Sequence, residues 1–236
     1  MNIVIPLAGK GTRFKQAGYT EPKVLIDVLG KPMFYWALEG IKDLLDEYRV
    51  TFICLDHHLN STELKKKIYD ICPDAIIVSL HEYTHGQTET VLKAEAFFKK
   101  DEPLLIFNGD TYQQCSNIRT KLYNSIKGMV FVFESKDDSF SYVDVDNNNN
   151  ILTIKEKKVI SKYATTGLYY FPNTEQFLTI AKENSDLFKG IKQEYYISMV
   201  IEKMLNLGTQ FESVKVEKCY TFGNPSEIEK FIKKYE

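Results

Sequence analysis

The spacing of apolar residues in the first half of the chain limits its fold more than any other feature. Short apolar runs occupy residues 2–7, 51–55, 75–78 and 104–107, and each reads as a buried strand. Between them the spacing turns helical. Residues 33–45 carry apolar side chains at helical intervals, with Pro32 at the start. Ser61-Thr62-Glu63-Leu64 opens another helix, and residues 87–99 put Val91, Ala94, Phe97 and Phe98 on one face. Strands alternating with helices imply right-handed βαβ units and a largely parallel, buried sheet.

After about Gly128 the pattern changes. Strands are predicted at residues 129–134, 141–145, 151–156, 164–171 and 211–216. Asp146-Asn147-Asn148-Asn149-Asn150 reads as a hairpin turn. Helices are predicted at 174–183, 195–207 and from Pro225 onward. There is no fixed-period repeat and no Pro/Gly/Ser-rich linker, so residues 1–236 are read as a single domain.

A chain of 236 residues can bury roughly 70% of its extended-chain surface, enough for a sizeable core without staples. Its formal net charge of −2 gives no global electrostatic case for nucleic acid. No apolar window reaches the ~18 residues of a membrane span. The N-terminus lacks the basic segment of a signal peptide. Cys54, Cys72, Cys115 and Cys219 show no metal-ligand spacing and read as free thiols in a reducing compartment. A cytoplasmic protein without nucleic-acid or membrane partners is expected. His57, His58, His81 and His85 read as loop residues.

Leu7-Ala8-Gly9-Lys10-Gly11-Thr12-Arg13-Phe14 follows the first strand directly. Glycines there let backbone N–H groups approach an anion, and Arg13 adds a fork of donors for phosphate oxygens. Lys23, after Pro22, adds a second cation. The P-loop pattern G-x-x-x-x-G-K-[ST] and the dinucleotide pattern G-x-G-x-x-G are both absent.

The loop, Pro22-Lys23 and Gly30-Lys31-Pro32-Met33 together resemble the N-terminal signature of the sugar-phosphate nucleotidyltransferases. Asn108-Gly109-Asp110, the segment from Ile151 through Lys157 to Phe171, and Phe222-Gly223-Asn224-Pro225-Ser226-Glu227 resemble later blocks of that family, in order. The resemblance implies an α/β fold. It would be a Rossmann-like three-layer α/β/α sandwich with a mixed, mainly parallel, GT-A-like sheet. Residues 1–127 would then form a nucleotide-binding half and residues 128–236 an acceptor-binding half.

By the same resemblance, a nucleoside triphosphate is joined to a sugar 1-phosphate or similar phosphomonoester, and pyrophosphate leaves. Arg13 and Lys23 take catalytic roles. Leu7, Ala8, Gly9, Gly11, Thr12, Gly86, Gln87 and Asn108 face the nucleotide, with Gln87 suited to reading a base edge. Glu156 holds acceptor hydroxyls, Lys157 holds the acceptor phosphate, and Gly167 lets the acceptor approach the backbone. Asp110 binds Mg²⁺, which favours one or two carboxylates plus phosphate oxygens. Many relatives carry a second metal aspartate two residues before the C-terminal glycine, where this chain has Thr221. Stand-alone members of the family suggest a role in capsule or other surface-glycan precursors.

Three other readings stand beside this one. A cytidylyltransferase for a non-sugar phosphate uses the same residues. A GT-A glycosyltransferase would use an Asp-x-Asp motif, and Asp144-Val145-Asp146 has that spacing. A non-catalytic nucleotide-sugar-binding protein would explain Thr221, although Arg13, Lys23 and Asp110 are intact. The base, the acceptor and homo-oligomerisation stay open.

Overall fold

A computed structural model of the protein describes residues 1–123, 125–185 and 193–235. The first strand, β1 (Asn2–Pro6), leads through the glycine loop into a short helix, α1 (Thr12–Gln16). A hairpin of β2 (Asp27–Val28) and β3 (Lys31–Pro32) precedes α2 (Met33–Glu39) and α3 (Lys42–Leu45). Next come β4 (Val50–Leu55), α4 (Asp56–Ser61), α5 (Leu64–Ile71), β5 (Ile76–Leu80) and α6 (Gln87–Leu92). The first half closes with β6 (Leu104–Phe107), β7 (Thr111–Gln114) and α7 (Ile118–Leu122). The second half opens with β8 (Gly128–Glu134), β9 (Tyr142–Val145), β10 (Ile151–Lys155) and β11 (Tyr163–Phe171). It ends with α8 (Thr174–Ser185), α9 (Ile197–Asn206), β12 (Phe211–Lys215), β13 (Lys218–Thr221) and α10 (Pro225–Tyr235).

Nine strands form one mixed sheet with the path β10-β9-β11-β6-β1-β4-β5, and β8 joins β11 to β12. The four strands from the first half, β6, β1, β4 and β5, are mutually parallel, as the alternation of strands and helices requires. β11 runs antiparallel to β6 and seams the two halves of the chain together.

Side chains alternate across this sheet. Val4, Ile53, Leu104 and Ile106 face α6, α8 and α9 in one core, which also holds Val91, Phe177 and Ile201. Ile3, Ile5, Phe52, Cys54, Leu105 and Phe107 face the other side, against Phe34 and Leu38 of α2, Leu64 and Ile68 of α5, and Ile118 of α7. The sheet is therefore the middle layer of an α/β/α sandwich. A third, smaller cluster of Phe14, Met33, Tyr112, Phe222, Ile228 and Phe231 ties α1, α2, β7 and α10 together beside the glycine loop.

Several elements differ from expectation. The helix expected over 33–45 breaks after Glu39. A Cβ on Gly40 would lie 2.9 Å from the Gln113 carbonyl oxygen, so the break lets the chain pack directly against β7. The helix expected over 87–99 ends at Leu92 and resumes only as a 3-10 turn at Glu95–Phe97. Val91, Ala94 and Phe98 are buried, but Phe97 points outward and is 50% exposed. His57 and His58 lie in α4, not a loop, and His58 is buried. The β2–β3 hairpin and the antiparallel pair β7–β13 were not expected. The asparagine-rich turn is as expected: Asp146 Oδ1 accepts from the backbone N–H groups of Asn148 and Asn150, each at 2.8 Å. All four cysteines are free thiols. Among the described residues no helix is long and apolar enough to cross a membrane.

Candidate active site

A cleft of about 510 Å³ opens over the C-terminal ends of β1 and β6. Such sheet edges are where open α/β folds bind ligands. Every residue proposed for the site from the sequence lines this cleft. Leu7, Ala8, Gly9, Gly11, Thr12, Arg13 and Lys23 form one wall. Gly86, Gln87, Asn108 and Asp110 also line it, as do Glu156, Lys157 and Gly167.

The glycine-loop wall has two features that suit an anion. A Cβ placed on Gly9 would meet no atom within 4 Å, so protein packing does not explain that glycine and the space before it is open. The Arg13 side chain makes no hydrogen bond or ion pair among the described residues, although it lines the cleft. Phe14, buried in the third core, anchors the turn of helix that carries Arg13. The Asp137 carboxyl lies below the usual carboxylate range, chiefly through the Ser139 backbone N–H, with Arg13 adding to the effect. The guanidinium is therefore near that loop but not tied to it.

Asp110 follows β6 by three residues and immediately precedes β7. Its carbonyl accepts from the Phe222 N–H at 2.9 Å, and Thr221 pairs with Thr111 across β13 and β7. The C-terminal segment is thereby held beside Asp110. Lys23 Nζ donates to Asp110 Oδ2 at 2.5 Å, so the cation and the carboxylate position each other. Among the described residues no group of three or more His, Cys, Asp or Glu side chains could hold a metal on its own. Asp110, with the Thr221 hydroxyl lining the same cleft, is a thin oxygen set. It fits Mg²⁺ only where phosphate oxygens supply the remaining charge.

Opposite stands a hydroxyl-rich wall. Glu156 Oε2 accepts from Ser198 Oγ at 2.6 Å and also from Ser141 Oγ. Lys157 takes a left-handed backbone, with φ of 49°, just past the end of β10. Its Nζ lies 3.8 Å from Glu156 Oε1, donates to the Tyr196 hydroxyl, and sits 4.1 Å above that ring's centre. Tyr196 in turn donates to Glu194. Burial, followed by Glu194, raises the Tyr196 pKa, so the phenol stays protonated near neutral pH.

Two glycines have packing reasons in addition to the roles expected of them. Gly167 has φ of 87°, and a Cβ there would lie 2.2 Å from Asn108 Nδ2. Gly86 has φ of 133°, and its Cβ would lie 2.5 Å from the Tyr195 backbone nitrogen. The Gln87 side chain, expected to be free to read a base, donates to Asn108 Oδ1. One linked unit, Gln87–Asn108–Gly167, thus joins the two walls.

The family model described as Nucleotidyl transferase matches residues 3–234. The chain belongs to the nucleotidyl transferase family. It is 26% identical over 237 residues to the bifunctional protein GlmU of Aliarcobacter butzleri, covering 97% of this chain and 51% of that protein. It spans about half the length of the curated relatives it matches. Among solved structures, it resembles the nucleoside-diphosphate-sugar pyrophosphorylase from Vibrio cholerae RC9, with a TM-score of 0.84 and 23% identity over 98% of this chain and 99% of the other. It also resembles an inositol-1-phosphate CTP transferase from T. maritima, with a TM-score of 0.78 and 14% identity over 96% and 90% of the two chains. These likenesses establish the Rossmann-like nucleotidyltransferase fold.

Within that fold, the sequence did not reveal several residues lining the cleft. Ser141 and Ser198 hold Glu156, and Tyr196 holds Lys157. Glu227 accepts from the Gly223 N–H and from Asn224 Nδ2, each at 2.7 Å, shaping the C-terminal loop. His58 and Tyr83 close the end beyond the glycine loop. Only Glu227 lay in a recognisable motif; the others depend on contacts between distant segments.

Proposed function

We propose that this cleft transfers a nucleotidyl group from a nucleoside triphosphate to a sugar 1-phosphate or similar phosphomonoester and releases pyrophosphate. The supporting observation is the pairing of Lys23 with Asp110 beside an unpaired Arg13 and an open Gly9, all in one cleft with Glu156 and Lys157. The first half, residues 1–127, binds the nucleotide, and the second, residues 128–236, binds the acceptor. The glycine loop cradles the triphosphate with backbone N–H groups. Arg13 neutralises charge that grows on the leaving pyrophosphate. Lys23, oriented by Asp110, contacts the α-phosphate. Lys157 binds the incoming phosphate and Glu156 accepts from acceptor hydroxyls.

The acceptor phosphate oxygen forms a bond to the α-phosphorus as the bond to pyrophosphate breaks in line. A phosphomonoester is already anionic near neutral pH, so the step needs no general base. Rate enhancement then comes from positioning and charge neutralisation. Asp110 would hold Mg²⁺, which when bound offsets triphosphate charge. A cytosolic location accompanies this reading, since free thiols persist in reducing compartments. A phosphorylated non-sugar alcohol fits the same residues, because the Glu156 wall offers hydrogen bonds to any polyol or alcohol.

A glycosyltransferase reading lacks its metal motif at the sheet edge. Asp146 is engaged in its own turn, where hydrogen bonds from Asn150 lower its pKa. Pyrophosphate release that requires both a triphosphate and a phosphomonoester separates the two readings, since a glycosyltransferase yields none.

Thr221 gives a further test. With one carboxylate at the metal position, Mg²⁺ should bind mainly as its nucleotide complex. Thr221→Asp adds a carboxylate and is expected to lower the Mg²⁺ concentration for half-maximal initial rate at fixed nucleotide. An unchanged midpoint would mean that residue 221 does not face the ion.

A further inference from the structure

The end of the cleft beyond the glycine loop contains a buried side chain with an unpartnered polar atom. His58 lies in α4, which begins where β4 ends, and β4 neighbours β1. The residue is 7% exposed and lines the cleft near Pro6, Leu7, Ala8 and Tyr83. Its Nδ1 is sealed from solvent and has no hydrogen-bond partner. The ring takes part in no side-chain hydrogen bond among the described residues, and it packs against the His57 ring, with centroids 4.3 Å apart. Buried polar groups without partners are uncommon, and each calls for an explanation.

The sheet order indicates what this end receives. Along this sheet edge, the antiparallel β11 carries Gly167, β6 leads to Asp110, β1 leads to the glycine loop, and β4 leads to His58. If the acceptor lies over β11 and the phosphates over β6 and β1, the next position outward belongs to the nucleoside. The charges follow the same order. Lys10 and Lys15 each stand 5.8 Å from the centre of the Tyr83 ring, and that ring lies 6.2 Å from the His57 ring, so cations rim this end of the cleft. Burial, then the charges of His57 and Lys15, lowers the His58 pKa to about 4. The ring is therefore neutral at pH 7 and recognises a ligand by hydrogen bonding, not by charge.

We propose that His58 is a specificity-determining residue that donates from Nε2–H to an acceptor atom of the nucleobase. This rests on the nucleotidyl-transfer reading of the cleft. A neutral imidazole carries its one proton on either nitrogen; with Nδ1 sealed from any partner, Nε2 is the nitrogen left to meet a ligand, and the proposal assigns the proton to it. Tyr83 would flank the same base with its ring.

The test compares His58→Leu and His58→Asn with wild type, measuring KM for each of the four nucleoside triphosphates by pyrophosphate release. His58→Leu keeps the volume and loses the donor. It is expected to raise KM for the preferred triphosphate on the order of tenfold, the effect of one neutral hydrogen bond. It should also narrow the differences among the four triphosphates and leave the acceptor KM unchanged. His58→Asn, which keeps a donor, should restore part of the preference. An unchanged KM and ranking in His58→Leu would overturn the proposal. A measurement on wild-type protein covers the case of a variant that fails to fold. With ¹⁵N-labelled histidine, the preferred triphosphate should shift the His58 Nε2 resonance and pyrophosphate should not; no shift with the triphosphate also overturns it. If wild type releases no pyrophosphate with any substrate pair, the reading of the cleft fails and this inference fails with it. Normal wild-type turnover with an indifferent His58→Leu removes the inference alone.

Discussion

Asp110→Asn is expected to lower turnover by about two to three orders of magnitude, the range seen when a group that stabilises transition-state charge is lost. The substitution keeps the shape of the side chain and removes its charge. Two effects then coincide. The carboxylate proposed for Mg²⁺ is gone, and Lys23, now 2.5 Å from Asp110 Oδ2, loses the partner that aims it. The fold should survive, because the Asp110 backbone carbonyl still accepts from Phe222 and the side chain lies in the cleft, not the core. Initial rates at saturating substrates, together with circular dichroism, give the measurement. Near-normal turnover in a folded Asp110→Asn protein would contradict the assignment of this carboxylate.

Arg13→Ala and Lys23→Ala should each reduce kcat/KM by a factor on the order of a hundred or more, as loss of a transition-state charge contact does. Their effects on stability should differ. The Arg13 side chain has no hydrogen bond or ion pair among the described residues, so its removal should leave the unfolding midpoint unchanged. Lys23→Ala leaves Asp110 unpaired and should lower the midpoint slightly. The double variant Lys23→Ala, Asp110→Asn should lose less than the product of the single losses, because the two side chains act as one unit. Rates of the three variants with one substrate pair decide the matter. If both single variants keep wild-type rates, the glycine-loop wall does not bind the triphosphate.

How far the sequence could be read depended on whether each feature is local. The β1–β4–β5–β6 core was legible because each strand is a short apolar run between helical patterns. The glycine loop, Lys23, Asp110, Glu156, Lys157 and Gly167 were legible as motifs, and all line one cleft. The β7–β13 pair was not, because it joins Gln114 to Lys218, two stretches whose side chains carry no strong strand pattern. The break after Glu39 was hidden for a similar reason: Gly40 is small because Gln113 lies against it. Gly86 and Gly167 looked like openings for ligand, and each is also the contact point of a neighbouring segment. His58 resembled an ordinary histidine at a strand end. It is buried in the same cleft as the glycine loop and Tyr83, segments that the chain brings together only on folding.

The central claim is that one cleft joins a triphosphate to a phosphomonoester. The most direct measurement is pyrophosphate release across a matrix of four nucleoside triphosphates and a panel of sugar 1-phosphates and phosphorylated alcohols, with Mg²⁺ present. Pyrophosphate is expected only where a triphosphate and an acceptor are both present, in a small subset of pairs, with a nucleoside-diphosphate-linked acceptor formed in equal amount. Pyrophosphate formed without an acceptor, or none from any pair while the protein is folded and binds nucleotide, would contradict it.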